Sequence, residues 1–265
     1  MKNLIIGNTS QISSFFPLSY DRISSRNIDF SKFKNEKYDR VYITFAEQRT
    51  FNKDLSESDF LSVNVDLTSK VIDFFSKISN KIIVYGTAEL WNNHNGPINI
   101  NTTINYKYSP YVKSKEVLYE LILKNKSVGD WNNVIIIHTF NFNSLQRKSG
   151  FLFYKIFNSL TKNEITNVGN LNINRDIIHP KYLVSKSLIV NEDCIVGSGK
   201  LTNVDLFISD LFNYYEKDYK EFIISDKSII SNHVGNQFWF DTSDIYDNLL
   251  NDTIEEINIL YNNKV

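Results

Sequence analysis

Four short apolar runs constrain the fold of this chain more than anything else in it. They are Asn3-Leu4-Ile5-Ile6-Gly7, Arg40-Val41-Tyr42-Ile43-Thr44-Phe45-Ala46, Lys81-Ile82-Ile83-Val84-Tyr85-Gly86 and Asn133-Val134-Ile135-Ile136-Ile137-His138. Each is too short for a helix and rich in β-branched residues, the pattern of a strand covered on both faces of a parallel sheet. Helical spacing appears between them. From Phe60 to Lys77 the core-facing set is Leu61, Asn64, Val65, Val71, Ile72 and Phe75. A second helix starts at Ser109-Pro110 and runs to about Lys124, with Val117, Leu118, Leu121 and Ile122 inward. Ser109 suits the cap and Pro110 the first helical position. Strands alternating with helices predict a doubly wound α/β sheet. Tyr20–Ser24 and Ile28-Asp29-Phe30 read as weaker second and third strands, and Trp91 to Lys107 as a polar loop.

The pattern changes after Asn141. An aromatic-rich helix spans Gly150 to Leu160, a strand or bend covers Arg175–His179, and a strand and turn cover Asp193–Gly199. Thr202 is placed to cap a helix from Asn203 to Tyr215, a strand follows at Glu221–Ile224, and the last helix is expected to start at Asp241-Thr242-Ser243-Asp244. This half reads as a smaller α+β lobe.

Bulk properties narrow the function. The chain has 265 residues, one cysteine and a formal net charge of -1. One cysteine allows no internal disulfide framework and fits a reducing compartment. The charge balance does not point to a nucleic acid polymer. No apolar run approaches the roughly 20 residues of a membrane span, and the first residues turn at Gly7 too soon for a secretory signal. The expectation is a cytoplasmic protein with no membrane segment. No metal-ligand cluster stands out, and the four scattered histidines read as structural or solvated.

Chemistry enters at Ser109-Pro110-Tyr111-Val112-Lys113-Ser114-Lys115. Tyr111 and Lys115 are four residues apart and share a helix face. An ammonium beside a phenol favours the phenolate, so the pair can act as an acid/base device near neutral pH. Thr87 follows the fifth strand, at the sheet edge where ligands bind in open parallel sheets. Gly7, with Thr9, Ser10, Gln11 and Ile12 after it, makes a turn between the first strand and a short expected helix, a candidate phosphate cradle. Ser10 and Ser13 stand where the usual fingerprint has glycine. After the second strand come Ser24, Ser25 and Arg26 in place of a carboxylate, which favours a 2′-phosphate and hence NADP, with NAD as the other possibility.

Taken in order, these residues resemble the extended short-chain dehydrogenase/reductase family, particularly its nucleotide-sugar epimerases, dehydratases and reductases. Gly7-x-x-Ser10-x-x-Ser13 resembles the family's glycine motif, Asn64 its helix asparagine, Thr87 its catalytic serine or threonine, and Tyr111 and Lys115 its catalytic pair. Trp91 sits where the family has a tyrosine, Phe140-Asn141 resembles its substrate-contacting Phe-Asn, and Arg175-Asp176-Ile177-Ile178-His179 its Arg-Asp-x-x-His segment. Val196-Gly197-Ser198-Gly199 followed by Thr202 resembles the turn before a C-lobe helix. Two glycines, the acid after the second strand and the full length of the first helices depart from that pattern.

The resemblance implies a Rossmann-type dinucleotide domain at 1–143 interleaved with a substrate lobe at 144–265. It implies that Tyr111 exchanges a proton with a sugar hydroxyl, that Lys115 lowers the tyrosine pKa and holds the nicotinamide ribose, and that Thr87 binds the same oxygen. Ala46 joins the implied cofactor contacts. Glu47, Thr87, Trp91, Asn141, Arg175 and His179 are the implied contacts to a nucleotide-sugar substrate. Reduction or epimerisation at C4 is the leading expectation. Thr87-Ala88-Glu89-Leu90 also resembles the segment of 4,6-dehydratases in which the glutamate is a base, and a family member that binds without catalysis is the third reading. Pairing of two copies is left open.

Overall fold

The computed structural model describes residues 2–226, 229 and 236–261. The chain forms two units: Met1–Leu90 with Ile104–Thr139 and Val184–Ile195, and Trp91–Thr103 with Phe140–Leu183 and Val196–Val265. Chain segments therefore alternate between units, and no single cut separates them.

The first unit is built on a six-stranded sheet in the order Asp21–Ile23, Lys2–Ile6, Tyr38–Ile43, Ser79–Tyr85, Val134–Thr139, Cys194–Val196. The first five pair in parallel. Their apolar runs are buried throughout at Leu4, Ile5, Ile6, Val41, Ile82, Ile83 and Ile137, as expected for strands covered on both faces. Strand order reverses between Lys2–Ile6 and Tyr38–Ile43, so the carboxyl ends of these two strands flank the topological switch point.

One long helical stretch follows strand Tyr38–Ile43: Glu57–Leu61, a π segment Ser62–Leu67, then Thr68–Phe75. The carboxylate of Asp59 accepts the Ser56 amide at 2.8 Å and fixes its start. Val65, Val71, Ile72 and Phe75 pack in the core beside Leu118 and Ile122 of helix Pro110–Ser127. The Ser109 hydroxyl accepts the Val112 amide at 3.2 Å, the expected cap.

Two expected elements of this unit are different. Ile28–Phe30 is not a strand; a 3-10 turn occupies Phe30–Phe33, with Asp29 accepting the Ser31 amide at 3.1 Å. The turn sets Phe30 and Phe33 three residues apart on one side, where both pack against Phe75. The helix expected after Gly7 shrinks to a 3-10 turn at Ser13–Phe15.

The second unit carries helices Leu152–Lys162, Val204–Tyr214 and Leu249–Tyr261, with short strand pairs between them. Trp91 to Lys107 is not all loop, because Gly96–Ile98 pairs with Phe238–Phe240. Buried Asp176 accepts amides of Ser198 at 2.6 Å, Phe240 at 3.0 Å and Gly199 at 3.3 Å, joining three segments. Gly197 has no room for a Cβ, which would lie 2.7 Å from both Asp176 and Phe140.

Two element starts also shift here. Thr202 pairs with Arg175 in a short antiparallel ladder, and Asn203 caps the helix through Leu206 at 3.1 Å. The last helix starts at Leu249, not near 241. Residues 241–248 are irregular instead, with a bend at 243–244: Thr242 accepts the Asp244 amide at 3.1 Å, and Tyr246 stacks on Tyr182 while its amide bonds Ser198.

Candidate active site

Lys115 lies on the inner face of helix Pro110–Ser127 and is buried. Its Nζ donates to the carbonyl of Tyr85 at 2.9 Å. Burial without a counter-charge lowers its pKa to about 8. Tyr85 ends strand Ser79–Tyr85, so this bond ties the helix to the strand end that delivers Thr87. Thr87 is buried, and its hydroxyl accepts the Glu89 amide at 3.2 Å. Glu89 is half-buried in the Ala88–Trp91 turn beside it. Tyr111, one turn before Lys115, is half-buried and meets Phe60 edge-on at 6.5 Å.

Asn64 is the hub behind these groups. It lies in the π segment, almost fully buried. Its Oδ1 accepts the Glu47 amide at 2.8 Å, and its Nδ2 donates to the Glu47 carbonyl and the Ser114 hydroxyl, both at 2.9 Å. Ser114 in turn donates to the Tyr111 carbonyl at 2.7 Å. The segment after Ala46 is thereby fastened to the helix that carries the Tyr-Lys pair. The Glu47 carboxylate itself takes Arg49 Nε at 2.9 Å. Burial raises its pKa, but the Arg49 bonds outweigh that and hold it below the usual carboxylate range.

His138 closes the site from behind. It is fully buried at the end of strand Val134–Thr139, with Tyr119 edge-on at 4.8 Å. A Cβ on Gly86 would fall 2.6 Å from its Nδ1. Burial pushes the imidazole pKa down to about 4, so the ring is neutral at physiological pH. Neither the task of Ser114 nor that of His138 is visible in the sequence, because both depend on what lies across the sheet or helix. His94 bonds the Thr103 carbonyl, and His233 lies outside the described residues.

The candidate phosphate loop stands at the switch point. Gly7 has φ +110°, a backbone region that favours glycine, and a Cβ there would meet Thr44 Oγ1 at 2.8 Å. Thr9 is exposed, Gln11 and Ile12 are buried, and the Ser10 hydroxyl is buried with no hydrogen-bond partner among the described residues. A tight glycine turn with an orphaned hydroxyl at the switch point fits the phosphates of a dinucleotide. Ser24 and Arg26 are exposed just past strand Asp21–Ile23, with the Arg26 amide bonded to Ser24 Oγ at 3.0 Å.

The remaining expected substrate residues belong to the second unit. Trp91 is buried and donates from Nε1 to the Thr102 carbonyl at 2.7 Å. Asn141 is exposed and Arg175 half-buried. His179 is buried: Nδ1 accepts the Lys181 amide at 3.2 Å, and Nε2 lies 3.1 Å from Glu256. Its ring is engaged inside the unit at both nitrogens. Among the described residues, no group of three or more His, Cys, Asp or Glu side chains could hold a metal ion, and no helix is long and apolar enough to cross a membrane.

The profile of the NAD-dependent epimerase/dehydratase family matches residues 22–199, more than half of the chain. The chain belongs to that family. The match begins at Arg22, so the Gly7–Ser13 loop precedes it. No curated protein sequence matches the chain significantly. Family-like solved structures cover nearly all of it. UDP-glucuronic acid 4-epimerase from Bacillus cereus, in complex with NAD, has 16% identity and a TM-score of 0.76, covering 100% of this chain and 99% of that one. The NAD-dependent NDP-hexosamine 5,6-dehydratase TunA, of tunicamycin biosynthesis, has 16% identity and a TM-score of 0.77 over 97% and 98%. RMD from Pseudomonas aeruginosa, complexed with NADPH, has 14% identity and a TM-score of 0.74 over 96% and 92%. At these identities the likeness establishes the Rossmann-type fold.

Proposed function

We propose that this family member is an NAD(P)-dependent enzyme that reduces or epimerises a nucleotide-activated sugar at C4. The observation that carries the reading is the buried Lys115–Tyr85 bond, which sets the Tyr111 helix against the strand end bearing Thr87. A nicotinamide, when bound, supplies or accepts the hydride. Tyr111, half-buried one turn before Lys115, moves the proton of the sugar hydroxyl. Lys115, when charged, favours the Tyr111 phenolate. Thr87 orients the same sugar oxygen. Gly7 and the orphaned Ser10 hydroxyl receive phosphate, with Thr9, Gln11, Ile12 and Ala46 around them. Ser24, Ser25 and Arg26 favour the 2′-phosphate of NADP over the free hydroxyl of NAD.

A second reading is a dehydratase that uses Glu89 as base. It is supported by the Glu89 amide on Thr87 Oγ1, which puts both side chains on one turn. Incubation with UDP-, GDP- and dTDP-sugars and either nucleotide, followed by mass spectrometry and NMR of the product, tests both. An isomer or a product heavier by two hydrogens supports the first reading, and loss of water supports the second. No conversion of any sugar, with no dinucleotide bound, would remove both.

A further inference from the structure

The connection from Lys2–Ile6 to its parallel neighbour Asp21–Ile23 has no α-helix, only the Ser13–Phe15 turn. Such crossovers are usually helical, and a helix satisfies most of its own carbonyls. Here the carbonyls converge on one guanidinium. Arg22 Nη1 donates to Tyr20 O at 2.9 Å, and Nη2 donates to Phe16 O at 2.9 Å and Pro17 O at 3.0 Å. Leu18 O at 3.4 Å and Ser13 O at 3.5 Å complete the ring. Arginine fits because its planar head carries five donors and no acceptor. Beneath the loop, buried Phe16 packs on Tyr42 with centroids 4.5 Å apart, and Tyr20 stacks on Tyr42 at 6.1 Å. Ahead of it, Ser13 Oγ lies 2.9 Å from Asn8 O and 2.8 Å from Ser10 O. Ser13 thus touches both the Arg22 clamp and the loop that starts at Gly7.

We propose that Arg22 is a positioning residue for the dinucleotide: its guanidinium replaces the missing crossover helix as the scaffold of the Gly7–Ser13 loop. This rests on the reading above that the loop takes the phosphates of the cofactor. The clamp holds the loop from behind, where Ser13 links it to Asn8 and Ser10, and so fixes where the Ser10 hydroxyl sits. The aromatic pair Phe16–Tyr42 supplies the apolar seat that a helix face would have given.

Arg22→Ala and Arg22→Lys are the variants to make. Three quantities are read: amide hydrogen exchange across residues 8–20 in the ligand-free protein, NADH and NADPH affinity by calorimetry, and thermal midpoint. In Arg22→Ala, exchange should rise across 8–20 while strands Tyr38–Ile43 and Ser79–Tyr85 stay protected, and dinucleotide affinity should fall at least about tenfold. Guanidinium ion at low, non-denaturing concentration should recover part of both. Arg22→Lys should fall between, because an ammonium reaches fewer carbonyls at once. Unchanged exchange across 8–20, or affinity within about twofold of the parent in either variant, would overturn the proposal. If Arg22→Ala does not fold, Arg22→Lys decides by the same two measurements. A parent protein that binds neither nucleotide overturns the functional reading, whereas the exchange data still decide whether Arg22 is the scaffold.

Discussion

Lys115 Nζ donates to the Tyr85 carbonyl at 2.9 Å in the interior of the first unit. The bond joins a helix to a strand end and leaves an ammonium in a place where its charge is poorly solvated. The proposed role and the stability of the fold pull in opposite directions at this residue.

Lys115→Met should therefore abolish turnover and raise stability. The lysine pKa falls from 10.5 to about 8 on folding, because burial disfavours the charge. At neutral pH that is a penalty of roughly 3 kcal/mol, reduced by the lost bond to Tyr85, so a net gain of about 1–3 kcal/mol is expected. Below about 8 the penalty is fully present. Between about 8 and 10.5 only the unfolded chain is protonated, so the parent gains stability as pH rises and the difference closes. Denaturant unfolding of both proteins across that range checks it. A variant less stable than the parent at pH 7 contradicts the assigned burial cost.

Tyr111→Phe removes one hydroxyl from a half-buried ring that keeps its edge contact with Phe60. Turnover should drop by about 10² to 10⁴ with little change in thermal midpoint. The parent rate should also decline as pH rises past about 8, where Lys115 loses its charge. Near-parental turnover in the phenylalanine variant defeats the proton-transfer role.

Asn64→Ala leaves the Glu47 amide and carbonyl and the Ser114 hydroxyl without their partner. The expected cost is roughly 2–4 kcal/mol, since buried polar groups lose bonds without regaining water. Turnover should fall as well, because Ser114 bonds the Tyr111 carbonyl. Chemical denaturation paired with rate measurements reads both effects. Loss below about 0.5 kcal/mol would mean that Glu47 finds other partners.

Gly86→Ala drives a methyl to 2.6 Å from His138 Nδ1. Overpacking of this kind costs about 1–3 kcal/mol. Adding His138→Ser should recover much of that loss, although His138→Ser alone destabilises by opening a cavity. A double-mutant cycle on thermal midpoints measures the coupling, and strict additivity would show that the two sites do not touch.

Arg26→Ala should weaken NADPH binding about ten- to a hundredfold, the worth of a charge-assisted bond to phosphate, while NADH affinity stays constant. Calorimetry with both nucleotides is sufficient. Equal loss for both would assign Arg26 to some other part of the dinucleotide.

The central sheet and the helix Pro110–Ser127 are legible in the linear chain. Leu4-Ile5-Ile6, Ile82-Ile83-Val84 and Ile135-Ile136-Ile137 are continuous apolar runs of the kind that parallel strands covered on both faces carry, and Ser109-Pro110 carries its own cap and first-turn residue. These signals are local, so a linear reading recovers them. The order of Thr87, Tyr111 and Lys115 was legible for the same reason.

Features that depend on what lies opposite a residue came from packing between distant segments. Ile28–Phe30 has strand-forming residues, but Phe75 across the core turned it into a 3-10 turn. Asp241–Asp244 reads as a helix start, yet Tyr246 and its stacking on Tyr182 accompany an irregular segment that lasts until Leu249. The low pKa of Lys115 comes from enclosure, the Asn64 hub from a segment that returns beside it, and the neutrality of His138 from burial next to Gly86. Arg22 was an ordinary strand residue until five carbonyls folded onto it. Desolvation and hydrogen-bond closure are properties of the enclosing volume, and residues far apart in the chain supply that volume.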